Sequence, residues 1–561
     1  VKKILLSFLA LALVALGAPA TKAKDDAADT KPVIVAAFSG YGELKRDLEY
    51  LGTLSGNPDI AKNLESLLMV FTQNQGLAGL DPARPWGASV SITGDGSQFP
   101  AIAFLPVTDL KKLLDATSAM LGEADEAGDD IYQIKKGGNT YFVTQKGKWA
   151  YIAQQKSVLD DVPGDPLKPL RGLDKNYDLA VSIYVQSIPQ ALRDMAADLI
   201  KQGLEAKLQQ NADDDDEQAE LQAQIARRQA ESVVKGINEI DQFTVGLNID
   251  RKASRTFIDI AITAVEGSES AKQFAAEATE PANSRFAGVL RPDAILSLHF
   301  NSPVSDQDEE QAEEVLKTVG EQLMDEIDEE DDLNDNQKEK SKELVNKLLE
   351  LIEETLEEEG RINAGLAVLG TQRLTLAAGV LVADAKELED VVKQFATLAA
   401  EDADLPKPKW DVEKYKGHRF HALSVPLPDD DDDNDNVKKL KQAFGNPLKV
   451  SLAFGEKKTA YVALGEAGAD TLKELIDSSA VTPEKLSPMT VSLALAPLLK
   501  FASNQSGNPL AAMMAQGLTA GKDRVKLTLE PIDNGVRYRI EGEEGINKLL
   551  GVWMGTALHG I

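Results

Sequence analysis

The sequence predicts an α+β protein: four ferredoxin-like βααββα modules in two tandem pseudo-symmetric halves, with antiparallel sheets, helices on one face and protruding helical hairpins. Three observations predict it. The order strand, helical excursion, strand, strand, helix recurs four times along the 561 residues. The two strands after each excursion are joined by short turns, Gly94-Asp95-Gly96, Arg251-Lys252, Gly370-Thr371 and Asp533-Asn534-Gly535, as tight antiparallel hairpins require. Alternation such as Thr256, Ile258, Ile260, Ile262 marks strands with one face under helices and one less buried.

The first copy opens with Val33-Ile34-Val35-Ala36-Ala37-Phe38 and returns through 87–92 and 101–105. Leu110, Leu113, Leu114 and Leu121 then fall at helical spacing over 108–121. The second copy opens at 178–185, has its hairpin at 243–249 and 256–264, and closes with a helix from near Ser268. The third opens at 293–300, with a hairpin at 364–369 and 374–382 and a helix over 384–400. The fourth opens at 490–495, with a hairpin at 525–529 and 536–540 and a helix near 545–553. Ser55-Gly56-Asn57-Pro58 and Ser506-Gly507-Asn508-Pro509 occupy the same point in the excursions of copies one and four. There Asn can cap a helix and Pro fits its first position.

The excursions of copies two and three read as antiparallel helical hairpins. Ile188, Leu192, Met195, Leu199 and Leu204 stripe one helix, and Leu221, Ile225, Val233 and Ile237 its partner. In copy three the stripes are Val315, Val319, Leu323, Ile327 and Leu344, Leu348, Leu351, Ile352, after a capping box from Ser305 to Asp308. Both tips are acidic, Asp213 to Glu217 and Asp328 to Asp332, and face water. Strand-rich bridges at 131–152, and at 411–425 with 448–464, link the copies within each half, each followed by a short helix, 157–162 and 469–477. The halves are therefore 31–280 and 285–557, meeting where Pro281, Asn283 and Gly288 break periodicity.

Ahead of them, residues 1–20 read as a signal peptide: Lys2-Lys3, an apolar run from Ile4 to Gly17, and the small-x-small site Ala18-Pro19-Ala20. The expected location is periplasmic or extracellular, with no transmembrane segment in the mature chain. The chain has no cysteine, which excludes disulfides and disfavours tetrahedral zinc sites. A formal net charge of −31 argues against nucleic acid as a partner, since that needs a basic footprint. No cofactor is implied. The acidic run Asp429 to Asp433 with Asp435 lacks the Gly and Glu of an EF-hand loop (the sixth and twelfth positions are Asn434 and Leu440), leaving at most weak calcium association.

No catalytic, cofactor or metal residue is nominated. His418 and His421 stand three apart in a strand and point to opposite faces. His299 sits in an apolar strand and reads as a half-buried, hydrogen-bonded histidine, and His559 is terminal. Ser232 to Lys235 matches S-x-x-K without the partner motifs of a penicillin-binding enzyme, and Gly517 to Lys522 lacks P-loop spacing. Trp86, Trp149, Trp410 and Trp553 read as core or seam anchors.

With its signal segment, module order and repeat style, the chain resembles the large exported bacterial proteins of unknown function built from repeated α+β modules. That resemblance implies no activity and supplies no catalytic residue. The leading expectation is a secreted or periplasmic non-enzymatic binding or scaffold protein, its partner an unknown protein or small apolar ligand. The alternatives are a carrier or sensor of an apolar ligand, with Leu510, Met513 and Met514 as the softest candidate lining, and a hydrolase with an unrecognised site.

Overall fold

The computed structural model describes residues 31–94, 96–210, 217–279, 284–330, 333–402, 406–428, 435–456, 458–481, 486–506, 508–519 and 521–559. The expected signal segment, most of the acidic run at 213–217, Asp331 with Asp332, and the run from Asp429 to Asp433 lie outside them. The chain is a mixed α+β protein with repeated strand–helix–strand–strand–helix-like modules on open antiparallel sheet. The described residues group into two compact units. One holds 31–210, 225–272 and 532–559, and the other holds 217–224 and 273–531.

In the first unit, β1 (Lys31–Phe38) leads to helices α1 (Tyr41–Ser55) and α2 (Ile60–Phe71), then to strands β2 (Trp86–Ile92) and β3 (Ala101–Pro106) and helix α3 (Leu110–Leu121). Gly56 ends α1 in the left-handed conformation at φ 76°. Asp109 caps α3, its side chain accepting from the Lys112 amide at 3.1 Å. The bridge supplies β4 (Ala124–Glu126), β5 (Ile131–Lys136), β6 (Asn139–Lys146) and β7 (Trp149–Ala153). Its expected short helix is only a 3-10 turn, Lys156–Leu159. β8 (Leu179–Tyr184), α4 (Gln190–Gln210), α5 (Glu217–Glu239), β9 (Ile240–Asp250) and β10 (Arg255–Ala264) follow, and α6 (Glu269–Thr279) runs from the first unit into the second.

The second unit begins with β11 (Leu296–Pro303), α7 (Asp306–Glu329), α8 (Asp335–Glu359), β12 (Arg361–Leu369), β13 (Thr375–Leu381) and α9 (Ala385–Asp402). Its bridge is β14 (Lys409–Tyr415), β15 (His418–Val425), α10 (Asp435–Phe444), β16 (Leu448–Gly455), β17 (Thr459–Leu464) and α11 (Gly468–Val481). β18 (Met489–Ala494), α12 (Leu495–Ser506), α13 (Pro509–Gly517) and β19 (Arg524–Ile532) complete it. The last strand and helix, β20 (Gly535–Gly542) and α14 (Glu544–His559), belong to the first unit. A capping box that the sequence reading missed, Asn334 with Gln337, starts α8. The repeated tetrapeptides do separate paired helices. Pro509 opens α13 directly, whereas Asn57-Pro58 form a turn and α2 starts at Ile60.

The strand order corrects the ferredoxin-like expectation. A split βαβ unit places its third strand between the first two. Here the first two are direct antiparallel neighbours in every copy: β1 with β2, β8 with β9, β11 with β12, and β18 with β19. The excursions explain this. Two antiparallel helices return the chain to the end of the sheet it left, so the next strand runs back alongside the first. The first unit has strand order β4-β5-β6-β7-β3-β2-β1-β8-β9-β10-β20. The second has β14-β15-β16-β17-β13-β12-β11-β18-β19.

Helices on a single face is the second correction. In the second unit, Leu472, Leu475 and Ile476 of α11 pack on Ala377 and Ala463, while Ala385 and Leu388 of α9 pack with Leu452 and Ala460. Ala463 and Ala460 differ in parity along one strand, so the two helices cover opposite faces. In the first unit, Leu159, Val162, Leu170 and Leu173 cover the face of Val35, Ala37 and Tyr151 opposite α3. The signal lay in the opening strand, which is apolar at every position from Val33 to Phe38 and therefore needs cover on both sides.

The C-terminal elements are fastened to the first unit by packing and charge. β20 pairs with β10 from Thr256↔Gly542 to Thr263↔Gly535. α14 approaches α1 at Gly551, where a Cβ would stand 2.3 Å from the Leu51 carbonyl oxygen, so only glycine fits. Asn547 Oδ1 accepts from the Thr256 hydroxyl at 2.5 Å. On the other face, Arg539 grips the buried Asp259 carboxylate with two hydrogen bonds of 2.8 and 2.7 Å, and the Tyr177 hydroxyl donates to it at 3.1 Å.

Candidate functional site

The first unit contains a partly open apolar cavity of about 220 Å³. Its roof is leucine from three helices, including Leu44, Leu64, Leu68, Leu113 and Leu114. Its floor is the sheet, and the register explains why space remains there. Ala36 of β1 pairs with Ala88 of β2, Ala88 with Ala103 of β3, and Ala103 with Ile152 of β7. Three alanines in a cross-strand row make a trough running across the strands. The neighbouring row on one side starts with Phe38 opposite Trp86, and on the other with Ile34 opposite Val90.

The second unit supplies an internal comparison. Its strands β11, β12, β13 and β17 have the same order, and Phe300, Gly365 and Tyr461 stand where Phe38, Gly87 and Tyr151 stand in the first. The row matching the trough is Leu298–Leu366–Ala378–Val462. Two leucines stand at the positions of Ala36 and Ala88, and Leu298 is itself exposed.

Polar groups on the lining are few. The Thr117 hydroxyl is satisfied by the Leu113 carbonyl at 2.7 Å. Trp86 Nε1 is buried and has no hydrogen-bond partner among the described residues. Lys136, at the β5 end, donates to the Met120 carbonyl at 2.7 Å, which uses one of its three protons.

At the opposite end, lining residues Phe38 and Leu179 are followed or preceded by Ser39 and Asp178, whose side chains are hydrogen-bonded at 3.3 Å. Arg251 binds Asp47 at 2.7 Å and Glu43 at 2.8 Å, and Arg46 also pairs with Glu43. Burial, then the neighbouring Asp178 charge, push the Asp47 carboxyl up to about 7 against the pull of Arg251. Burial raises Asp178 as well, opposed by hydrogen bonds from the Ile249 amide and Ser39. A carboxyl raised from its ordinary value stabilises the fold fully below about pH 4, and that contribution is lost as pH rises to about 7. Asp47→Asn is therefore expected to remove on the order of 1–2 kcal/mol of the stability lost between pH 4 and 7. Denaturant titrations of both proteins at pH 4.5 and 7.5 measure it, and equal pH dependence in the two contradicts it.

The residues singled out in the sequence lie elsewhere. His299 is fully buried rather than half-buried. Its Nε2 is hydrogen-bonded to the Ser284 hydroxyl, Nδ1 has no partner among the described residues, and burial lowers its pKa to about 4. Among the described residues no carboxylate orients this serine–histidine pair, so the third member of a nucleophilic triad is not found there. His418 and His421 do point to opposite faces: His418 Nε2 meets the Thr459 hydroxyl at 3.1 Å, and His421 Nε2 lies 3.1 Å from Glu389.

Glu389, Asp411 and His421 come close enough together to hold a cation. Their bonding opposes one. Burial pushes the Glu389 carboxyl up, but hydrogen bonds from Lys393 at 2.6 Å and Arg419 at 2.9 Å outweigh it and hold the group ionised. The Asp411 amide donates to His421 Nδ1 at 2.9 Å. Glu309, Glu313 and Glu357 form a second, more exposed acidic group.

Trp149 packs edge-on against Phe104 and Trp410 against His421, while Trp553 is 59% exposed. Met513 is 63% exposed, and neither it nor Met514 lines the cavity; the side chain of Leu510 lies outside the described residues. Ser232 and Lys235 lie within helix α5.

The sequence reading, which offered Leu510, Met513 and Met514 as a pocket lining, missed this cavity's residues. Its available signal was alanine at positions 36, 88, 103 and 150, on a face where other strands carry Leu, Val or Ile. Among the described residues, no helix is long and apolar enough to cross a membrane. Comparison of the chain with family models, with curated proteins and with solved structures finds no match.

Proposed function

We propose that this protein is a non-enzymatic binding protein whose first unit carries a small apolar ligand. The observation that carries the reading is the alanine row Ala36–Ala88–Ala103 under a leucine roof. A partly open apolar trough leaves its lining without neighbouring atoms on one side, and an apolar molecule seated in it supplies those contacts. A cavity of ~150 Å³ already holds benzene, so this one has room for a larger apolar molecule.

Tandem duplication of halves 31–280 and 285–557 accounts for the matching strand order, and the leucines of the second half make the trough a feature of the first. Export fits the same reading. A carrier outside the cytoplasm meets apolar molecules released from membranes, and residues 1–20 have the composition of a signal peptide.

Thermal unfolding with and without hexadecanol tests the proposal. Saturation to a hundredfold over Kd adds ~2.7 kcal/mol, which raises Tm by about 5–10 °C. Unchanged melting across a panel of alkanes, alkanols and fatty acids contradicts it.

A further inference from the structure

We infer that the ligand is a single-chain carboxylate of the fatty-acid class, lying extended along the trough with its carboxylate at Lys136 and its tail towards Phe38 and Leu179. The inference rests on the cavity-binding reading and adds the chemistry and direction of the occupant.

Shape gives the chain. The lining runs from Leu179 on β8 through β1, β2, β3, β7 and β6 to Lys136 on β5. Six strand spacings of ~4.8 Å make that path roughly 25–30 Å before twist. A volume of about 220 Å³ spread over such a path is narrow. It suits one extended alkyl chain better than a fused ring system or a two-chain lipid.

Charge gives the direction. Lys136 is the one ionisable cation among the lining residues, and two of its protons remain after the bond to the Met120 carbonyl. At the other end no lining residue is a cation, and the arginines nearby, Arg251 and Arg46, are paired with Glu43 and Asp47. Asp178 stands beside it as well. A carboxylate placed there would have to compete with Glu43 and Asp47 for those arginines. A methyl-terminated tail would meet only Phe38, Tyr41 and Leu44.

Calorimetric titration of the full chain with hexadecanoate, hexadecanol and a zwitterionic lysophospholipid tests this, using wild type, Lys136→Met and Trp86→Phe. Expected results are tightest binding of hexadecanoate by wild type, and a three- to fivefold loss for hexadecanoate alone in Lys136→Met, the size of an exposed ion pair. Hexadecanol should bind both proteins equally. Equal affinity of wild type for hexadecanoate and hexadecanol, untouched by Lys136→Met, overturns the inference and leaves the cavity reading standing. So does weaker binding of both in Trp86→Phe alone, because the head would then sit at the Trp86 N–H. Preference for the lysophospholipid overturns it in favour of a membrane lipid. Binding of none of the three defeats the underlying proposal instead.

Discussion

Replacing Ala88 by leucine is expected to lower affinity for any alkyl ligand at least tenfold without harming the fold. Ala88 sits at the centre of the alanine row, 5% exposed, between Ala36 and Ala103. The second unit carries leucine at the matching position, Leu366, on a strand of the same order. A leucine is thus compatible with the strand conformation at that register position. Its added methyl groups would fill space that is now open, and filling a void restores contacts that the lining lacks. Stability should stay level or rise by about 1–2 kcal/mol. Calorimetric titration with hexadecanol and a urea melt of Ala88→Leu read both quantities. Retained affinity would place the ligand away from the trough. Lost affinity together with a clear loss of stability would show overpacking, and Ala36→Leu would then separate the two effects, because Leu298 stands at its counterpart.

The second large effect concerns Asp259, which is 1% exposed and held by two hydrogen bonds from Arg539. Removing the arginine leaves a buried carboxylate with only the Tyr177 hydroxyl at 3.1 Å and Arg537 at 4.0 Å. Breaking a buried pair from one side costs about 3–5 kcal/mol. Arg539→Met is expected to destabilise the first unit by that amount, measured by urea denaturation, with hydrogen exchange quickening along β10 and β20. Asp259→Asn with Arg539→Met should recover much of the loss, since the uncompensated charge is gone. A small effect from Arg539→Met alone would mean that β20 is held by its ladder and by α14, without the ion pair.

Much of the local structure was legible because it is written in neighbouring residues. Alternation gave the hairpin β9–β10, leucine spacing gave α3, and the stripes from Ile188 and Leu221 gave α4 and α5. Strand adjacency was not legible. A helical excursion looks the same in sequence whether it returns the chain beside the first strand or one place further on. The ferredoxin-like reading chose the second, and the paired helices enforce the first. Nor does local pattern reveal that β20 and α14 join the unit that begins the chain, because that depends on contacts such as Thr256 with Asn547, separated by 291 positions.

The cavity escaped for a related reason. Each of Ala36, Ala88 and Ala103 is an ordinary strand alanine. Only the register that sets them side by side turns three small residues into a trough, and register is a property of the assembled sheet. The sequence reading looked instead for soft lining residues and offered Met513 and Met514. Methionine signals adaptability, whereas this space arises where side chains are missing.

Photolabelling locates the ligand most directly. The full chain would be irradiated with a long-chain fatty acid bearing a diazirine at mid-chain, and the labelled peptides sequenced by mass spectrometry. The account predicts labels on the trough and its roof, around Ala88, Ala103, Leu113 and Leu114, suppressed by excess hexadecanoate and absent in Ala88→Leu. Labels that instead fall on exposed apolar side chains such as Val70, Met513 or Trp553, and persist in Ala88→Leu, would contradict it.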